Sequence, residues 1–266
     1  MYKVLAFDID NTLIMRGKST IEESALAAIR ECHDKGYEIV ISTGRTINAV
    51  HPDIKARMPA NYFIGVNGAC LNTMDGKILK CFYMPRESVE KIIDISLKHD
   101  YPLGFKFADS FQIYNRYEEF VTRYCKNGIT RDMLKDCSDR DYHIKTGMMP
   151  LDAFIYADDN RLPQYFDQFP DLKFIRANSR KIIYEAFNKQ SDKGVMLKFL
   201  TERLGYTMEQ VIAFGDSQND SEMIMRAGLG ICMGNGTPEA KAVADYVTDD
   251  IDKDGIRKAL KHFEII

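Results

Sequence analysis

The feature that most constrains this chain is a short apolar run that ends in acid. Tyr2 to Phe7 has the composition of a strand buried on both faces, and it stops at Asp8-Ile9-Asp10. From Thr20 the pattern changes. Ile21, Ala25, Ala28, Ile29 and Cys32 fall at helical spacing, and Lys35-Gly36 supplies a cation and a C-cap glycine. Glu38 to Ser42 is again a brief apolar run, followed by Thr43-Gly44-Arg45 and a helical stretch from about Ile47 to Met58. Strand, helix, strand, helix predicts a parallel α/β sheet.

Tyr62 to Val66 reads as a third strand ending at Asn67-Gly68, and a hairpin turn over Asn72 to Gly76 separates Cys70-Leu71 from Ile78–Tyr83. The rhythm then becomes α+β. A helix over Arg86–His99 precedes strands Leu103–Phe107 and Phe111–Tyr114, and helical or irregular sequence runs to about Met148. A strand at Ala153–Tyr156, a helix over Asn160–Phe169, and a hairpin of Leu172–Ala177 with Lys181–Phe187 around Asn178-Ser179 complete this third of the chain. From Lys193-Gly194 the parallel pattern resumes, with a helix to Leu204, the strand Val211–Phe214, Gly215-Asp216, a helix over Asp220–Ala227 and the strand Gly230–Met233. Pro, Asn, Ser and Asp gather near Phe82–Pro85 and Phe187–Asp192. The expected organisation is therefore a core of residues 1–82 and 187–266 interrupted by an inserted domain of 83–186.

Composition narrows the partners. Lys plus Arg total 36 against 39 Asp plus Glu, so no broad basic surface awaits a nucleic-acid backbone. No run of about 18 apolar residues offers a membrane span, and Asp8 and Asp10 interrupt the start before a signal-like apolar segment forms. The six cysteines include no C-x-x-C pair and no zinc spacing. A cytoplasmic protein with reduced thiols, no nucleic-acid or membrane partner and no obligate protein partner is expected.

In a parallel sheet, ligands collect beyond the carboxyl ends of the strands. Read that way, the chain delivers Asp8, Asp10 and Thr12 from the first strand. The second delivers Ser42, Thr43, Gly44 and Arg45, a late strand delivers Gly215 through Asp220, and Lys193 opens a helix. Converging carboxylates repel unless a cation neutralises them, and Mg²⁺ takes carboxylates, waters and phosphate oxygens as ligands. Asp8 and Asp216 suit that role, and the backbone carbonyl of Asp10 can add to it. With the ion present, Asp8 is suited to attack phosphorus and form an aspartyl-phosphate. Lys193 and Thr43 suit the phosphoryl oxygens, and Asp10 the proton transfers. Ser42 competes with Thr43 for the phosphate role, and Arg45 and Asn67 are candidates to orient phosphate or substrate. Glu185 is read either as reaching substrate or as a strand-edge carboxylate paired with a cation.

These segments together resemble the haloacid dehalogenase superfamily, specifically its Cof-type phosphatases with a type IIB cap. Asp8-Ile9-Asp10-Asn11-Thr12-Leu13 resembles the first motif, Thr43-Gly44-Arg45 the second, Lys193-Gly194 the third and Gly215-Asp216-Ser217-Gln218-Asn219-Asp220 the fourth. Asn67-Gly68-Ala69, Met233-Gly234-Asn235-Gly236 and Asp254-Gly255-Ile256 are similar to further family segments. Asn11 stands where the motif commonly has Gly, and Asn tolerates the left-handed backbone of a tight turn.

The resemblance implies a Rossmannoid parallel-sheet core with an inserted α+β cap that selects the leaving group. It also implies a Mg²⁺-dependent phosphatase for small phosphorylated metabolites: sugar phosphates, related esters or pyridoxal phosphate. Asp8 would be the nucleophile and Asp10 the acid/base. Thr43, Gly44 and Lys193 would bind phosphate, with Arg45, Asn67 and Asn219 beside it, and Asp8, Asp10, Asp216, Asn219 and Asp220 would form the metal shell. Two rivals use the same residues. A phosphomutase returns the phosphoryl group to its substrate, and a receiver-like signalling module keeps it on Asp8.

Overall fold

The computed structural model describes residues 1–125, 129–178 and 182–266. In chain order the elements begin with β1 (Val4–Phe7), α1 (Glu23–Asp34), β2 (Glu38–Ser42), α2 (Pro52–Arg57), β3 (Tyr62–Gly65), β4 (Cys70–Thr73) and β5 (Ile78–Cys81). There follow α3 (Arg86–His99), β6 (Leu103–Lys106), β7 (Phe111–Asn115), α4 (Tyr117–Tyr124), β8 (Leu134–Asp136), α5 (Tyr142–Thr146), β9 (Asp152–Tyr156), β10 (Leu172–Asn178) and β11 (Ile183–Asn188). The last are α6 (Lys193–Arg203), β12 (Val211–Gly215), α7 (Ser221–Arg226), β13 (Leu229–Cys232), α8 (Pro238–Ala242), β14 (Tyr246–Val247) and α9 (Gly255–His262). The chain divides into two compact units, 1–80 with 192–266, and 81–191.

The first unit is built on a sheet of order β14-β13-β12-β1-β2-β3-β4-β5. From β14 to β3 every pairing is parallel, and β4 runs antiparallel to β3. Burial explains the strands: all four residues of β1 and all five of β12 are buried, as expected for strands covered on both faces. Phe7 and Phe214, cross-strand neighbours, stack at 4.9 Å between ring centroids. Around them Leu5, Ile39, Ile41 and Ile212 pack with Leu26 and Ile29 of α1 and Ala259 and Leu260 of α9. The spacing of Ala25, Leu26, Ala28, Ile29 and Cys32 places them on the buried stripe of α1.

The second unit carries a sheet of order β10-β11-β9-β6-β7-β8, antiparallel except between β7 and β8. Alternation along the strands feeds two apolar clusters. Leu103, Phe105, Ala153 and Ile155 join Val89 and Ile92 of α3, whereas Phe111, Ile113, Phe154 and Tyr156 join Phe120 and Val121 of α4. This is the α+β character expected of the middle third.

Several expectations need correction. The helix over 47–58 is a 3₁₀ turn, Ile47–Ala49, and a separate α2, because Pro52 can stand only in the first turn of a helix. The helix over 160–169 is a 3₁₀ segment, Leu162–Gln168. Strand β8 lies in sequence read as helical or irregular, because only Leu134 of its three residues is buried and no alternation marks it. The hairpin turn placed around Asn178-Ser179 and the strand start at Lys181 lie partly outside the described residues. The divisions between the units fall after Lys80 and Ser191, not after 82 and 186. At the second, β11 runs on to Asn188, which is tied to Ser191 before Asp192 opens α6. Cys70 and Cys81 are disulfide-bonded, against the expectation of six reduced thiols; they stand on neighbouring strands β4 and β5, a pairing that residue spacing alone does not reveal. Cys32, Cys125, Cys137 and Cys232 are free. Among the described residues no helix is long and apolar enough to cross a membrane.

Because Phe214 is fully buried against Phe7, Phe214→Ala is expected to cost about 3–5 kcal/mol. Urea unfolding of both proteins measures it, and a loss well under this range would show that the core closes around the gap.

Candidate active site

Strands β12, β1 and β2 are neighbours and parallel, so the residues that follow them share one edge of the sheet. There the structure brings together Asp8, Asp216, Asp220 and Lys193. Oxygens of the three carboxylates lie within 4.8 Å of one another. The Lys193 ammonium sits 2.6 Å from Asp8 Oδ1 and 2.6 Å from Asp220 Oδ1. Helix α6 delivers that ammonium by its first residue. Asp192 caps the helix, its Oδ1 accepting from the backbone N–H groups of Gly194 at 2.8 Å and Val195 at 3.2 Å. Asp220 is fixed from its other oxygen, Oδ2, which accepts from the backbone N–H groups of Asp216 and Ser217, each at 3.0 Å.

Burial sets the electrostatics. It raises the Asp8 carboxyl well above the usual range, with Asp220 and Asp216 adding to the rise and Lys193 opposing it. Asp216 is pushed up to about 7, by burial first and Asp220 second, against Lys193 and a hydrogen bond from Asn11. Burial works against the charge of Lys193, but Asp220 and Asp8 outweigh it and its pKa rises. Three carboxylates thus share one ammonium, and Asp216 Oδ1 is buried with no hydrogen-bond partner. An all-oxygen donor set with uncompensated negative charge and an orphaned carboxylate oxygen fits a hard divalent cation.

The other expected residues are placed differently. The carboxylate of Asp10 does not join the trio. It is half exposed, and Arg45 holds it in two bonds, Nε to Oδ2 at 2.8 Å and Nη2 to Oδ1 at 2.7 Å. Asn11 adopts φ 66°, the left-handed turn its residue type suggested. Asn219 has both ends of its side chain engaged, donating to Asn67 Oδ1 at 2.9 Å and accepting from Ser217 at 2.6 Å. Thr43 is buried, and its hydroxyl oxygen accepts from the Arg45 backbone N–H at 3.3 Å. The hydroxyls of Ser42 and Thr12 are buried without partners.

Sequence reasoning gave Asn67 a substrate role and missed what its loop does. Val66, Asn67 and Gly68 have φ of 52°, 52° and 87° in succession; for a β-branched residue such as Val66 this is a costly conformation. The loop is held there by contacts with the other motif segments. Asn67 N–H donates to the Thr43 carbonyl at 3.1 Å and Val66 N–H to the Arg45 carbonyl at 3.0 Å. A Cβ on Gly44 would lie 2.9 Å from Asn67 Oδ1, and one on Gly68 would lie 2.1 Å from the Asp192 carbonyl oxygen and 2.6 Å from the Lys193 nitrogen. The segment therefore braces Thr43, Lys193 and Asn219 at once. The Asn-Gly pair after a strand was the available signal, legible as a turn but not as a brace.

The matches to known proteins follow this geometry. A family model described as haloacid dehalogenase-like hydrolase matches residues 5–260. The 5-amino-6-(5-phospho-D-ribitylamino)uracil phosphatase YcsE of Bacillus subtilis is 29% identical over 262 residues, covering 98% of this chain and 95% of its own. The pyridoxal phosphate phosphatase YbhA of Escherichia coli is 27% identical over 269 residues, covering 96% of each. Among solved structures, the HAD subclass IIB sugar phosphatase BT4131 superposes with a TM-score of 0.82 at 25% identity, covering 99% of this chain and 100% of that one. The phosphatase BT1666 of Bacteroides thetaiotaomicron reaches 0.86 at 24% identity, covering 100% and 96%, a likeness of fold.

Two outcomes follow from the site. Gly68→Ala forces a Cβ into the Asp192 carbonyl at positive φ, so a loss of about 2–4 kcal/mol in urea unfolding is expected; wild-type stability in this variant would refute the brace. Metal-free protein should lose stability as pH rises from about 4, the ordinary carboxylate value, to about 7, where folded Asp216 titrates. Over that window the folded state holds a proton that the unfolded chain has released. Thermal melts across this range, with and without a saturating divalent cation, test it. The cation should abolish the decline, and a decline of equal size in its presence would contradict the account.

Proposed function

Since the chain belongs to the haloacid dehalogenase-like hydrolases and is a hydrolase of phosphate monoesters, we propose that it works with Mg²⁺ through an aspartyl-phosphate on Asp8. One observation carries this reading: Asp8 is buried beside Lys193, Asp216 and Asp220, at the end of the central strand of a parallel sheet. Asp8 and Asp216 would hold the ion, with Asp220 and Asn219 supporting the shell and the Asp10 backbone carbonyl completing the protein ligands. When bound, Mg²⁺ offsets the negative charge shared between the phosphoryl group and the carboxylates.

The chain's own residues do the rest. One carboxylate oxygen of Asp8 attacks phosphorus in line with the leaving alkoxide; Lys193 holds the other and opposes the burial that favours the protonated acid. Lys193, Thr43 and the backbone at Gly44 bind the phosphoryl oxygens. Asp10 gives a proton to the leaving alkoxide, then takes one from the water that attacks phosphorus and frees Asp8. Arg45 holds the Asp10 carboxyl in register for both transfers. The substrates are small phosphate esters, sugar phosphates and related metabolites in the first place, and residues 81–191 govern which ester is accepted. The names of the relatives, which include a sugar phosphatase, a phosphoribitylamino-uracil phosphatase and a pyridoxal phosphate phosphatase, support this class.

Asp8→Asn removes the nucleophile with little change of shape, so phosphate release should fall at least about 10³-fold. Phosphate assays over a panel of phosphorylated metabolites, with Mg²⁺ and with chelator, check it. Wild-type turnover in the variant, or full activity of the wild type in chelator, would sink the proposal. Isomerised sugar phosphate in place of inorganic phosphate would identify a mutase.

A further inference from the structure

The turn that carries Asp10 is closed on itself, and bonds of that kind do not aim it. Within it the N–H groups of Thr12, Leu13 and Ile14 all donate to the Ile9 carbonyl, at 3.3, 2.9 and 2.8 Å, and that of Asn11 donates to the Ile14 carbonyl at 2.7 Å. The ladder to β12 reaches the turn at Asp8, whose N–H donates to the Phe214 carbonyl at 3.0 Å. Local bonds fix the shape of the turn, whereas its direction past Asp8 depends on what grips it from elsewhere. Arg45 grips the Asp10 carboxylate from the end of β2. From the opposite side of β1 comes Asn235, whose Nδ2 donates to the Asn11 carbonyl at 2.9 Å.

Asn235 lies in the Met233–Gly236 segment after β13, which has no part in the chemistry above. That segment is seated on the loop of Asp216. Met233 N–H donates to the Gly215 carbonyl at 3.0 Å and Thr237 N–H to the Asp216 carbonyl at 2.7 Å, while the Lys241 ammonium donates to the Gly234 carbonyl at 2.5 Å. The side chain of Asn235 is fixed at its other end as well, because Oδ1 accepts from the Ile251 N–H at 2.9 Å. Only one orientation of the amide gives the Asn11 carbonyl a donor and the Ile251 N–H an acceptor. Asn235 therefore ties the turn one residue past Asp10 to the segment that holds the Asp216 backbone.

We propose that Asn235 is a positioning residue for Asp10, its amide aiming the Asp10 turn so that the carboxyl meets the leaving oxygen. This rests on the phosphatase reading above, with Asp10 as its acid. Hydrogen–deuterium exchange of the full chain, before Mg²⁺ is added, tests the tether itself. Asn235→Ala should speed exchange at Thr12–Ile14 about tenfold, the effect of losing one hydrogen bond, and leave β12 unchanged; unaltered exchange at Thr12–Ile14 would overturn the inference. Turnover with Mg²⁺ tests the consequence. A sugar alkoxide needs a proton to depart and a nitrophenolate does not, so kcat/KM is compared for glucose 6-phosphate, ribose 5-phosphate and p-nitrophenyl phosphate. In Asn235→Ala the sugar phosphates should lose about tenfold or more relative to the aryl ester. Asn235→Asp, which keeps the acceptor for Ile251 and loses the donor to Asn11, should show the same selective loss. Equal losses on all three esters in both variants would reveal a merely structural bond and overturn the inference. Asp10→Asn, assayed alongside, should show the same selectivity in larger measure. Equal losses there overturn the acid role of Asp10 and this inference with it, and a wild type that releases phosphate from none of the three overturns the phosphatase reading as a whole.

Discussion

The site depends on one ammonium group in a place where water cannot reach it. Stripping an ion of water costs several kcal/mol unless it is paired well, and Lys193 is paired twice, with Asp8 and Asp220 at 2.6 Å each. That arrangement dictates much else. Helix α6 must begin exactly one residue after its cap, Asp192, so that its first side chain enters the cluster. Asp220 must keep one oxygen for Lys193 and turn the other to the backbone of Asp216 and Ser217. Gly68 must lack a side chain, because the strained loop behind the lysine comes within contact of the Asp192 carbonyl.

One lysine does not balance three carboxylates, and the remaining charge is where the chemistry lies. Asp216 retains an oxygen with no hydrogen-bond partner, which a divalent cation would satisfy. Asp10, two residues from Asp8 on the same turn, is kept apart from the cluster by Arg45. Two carboxylates two residues apart thereby occupy separate surroundings, one dry and paired with Lys193, the other half in solvent. Separation of this kind lets neighbouring acids act as nucleophile and proton carrier in one reaction.

How much of this was legible in the sequence follows from which interactions are local. Strand β2 and helix α3 match expectation residue for residue, because a short apolar run and a four-turn amphipathic period are local signals. The edge residues Asp8, Thr43, Lys193 and Asp216 were legible because parallel topology makes the strand ends a shared location. Pro52 broke a period that looked continuous, and β8 has a single buried residue to announce it. Pairings across the sheet were invisible. Lys106 and Asp152 are 46 residues apart and meet only through the register of β6 with β9, and Cys70 with Cys81 depended on two strands being neighbours. The brace formed by Val66–Gly68 was hidden for the same reason, since its meaning lies in what packs against it.

The measurement that bears most directly on the account is the chemical state of Asp8 during a single turnover. Enzyme in excess is mixed with a hydrolysable ester and Mg²⁺, quenched in acid while phosphate is being released, digested, and read by mass spectrometry. The account predicts a transient phosphoryl group on the peptide carrying Asp8, located on that residue, which forms and decays as phosphate appears. Phosphate release at full rate with Asp8 unmodified at every time would contradict it, because water would then be attacking the ester without the aspartate.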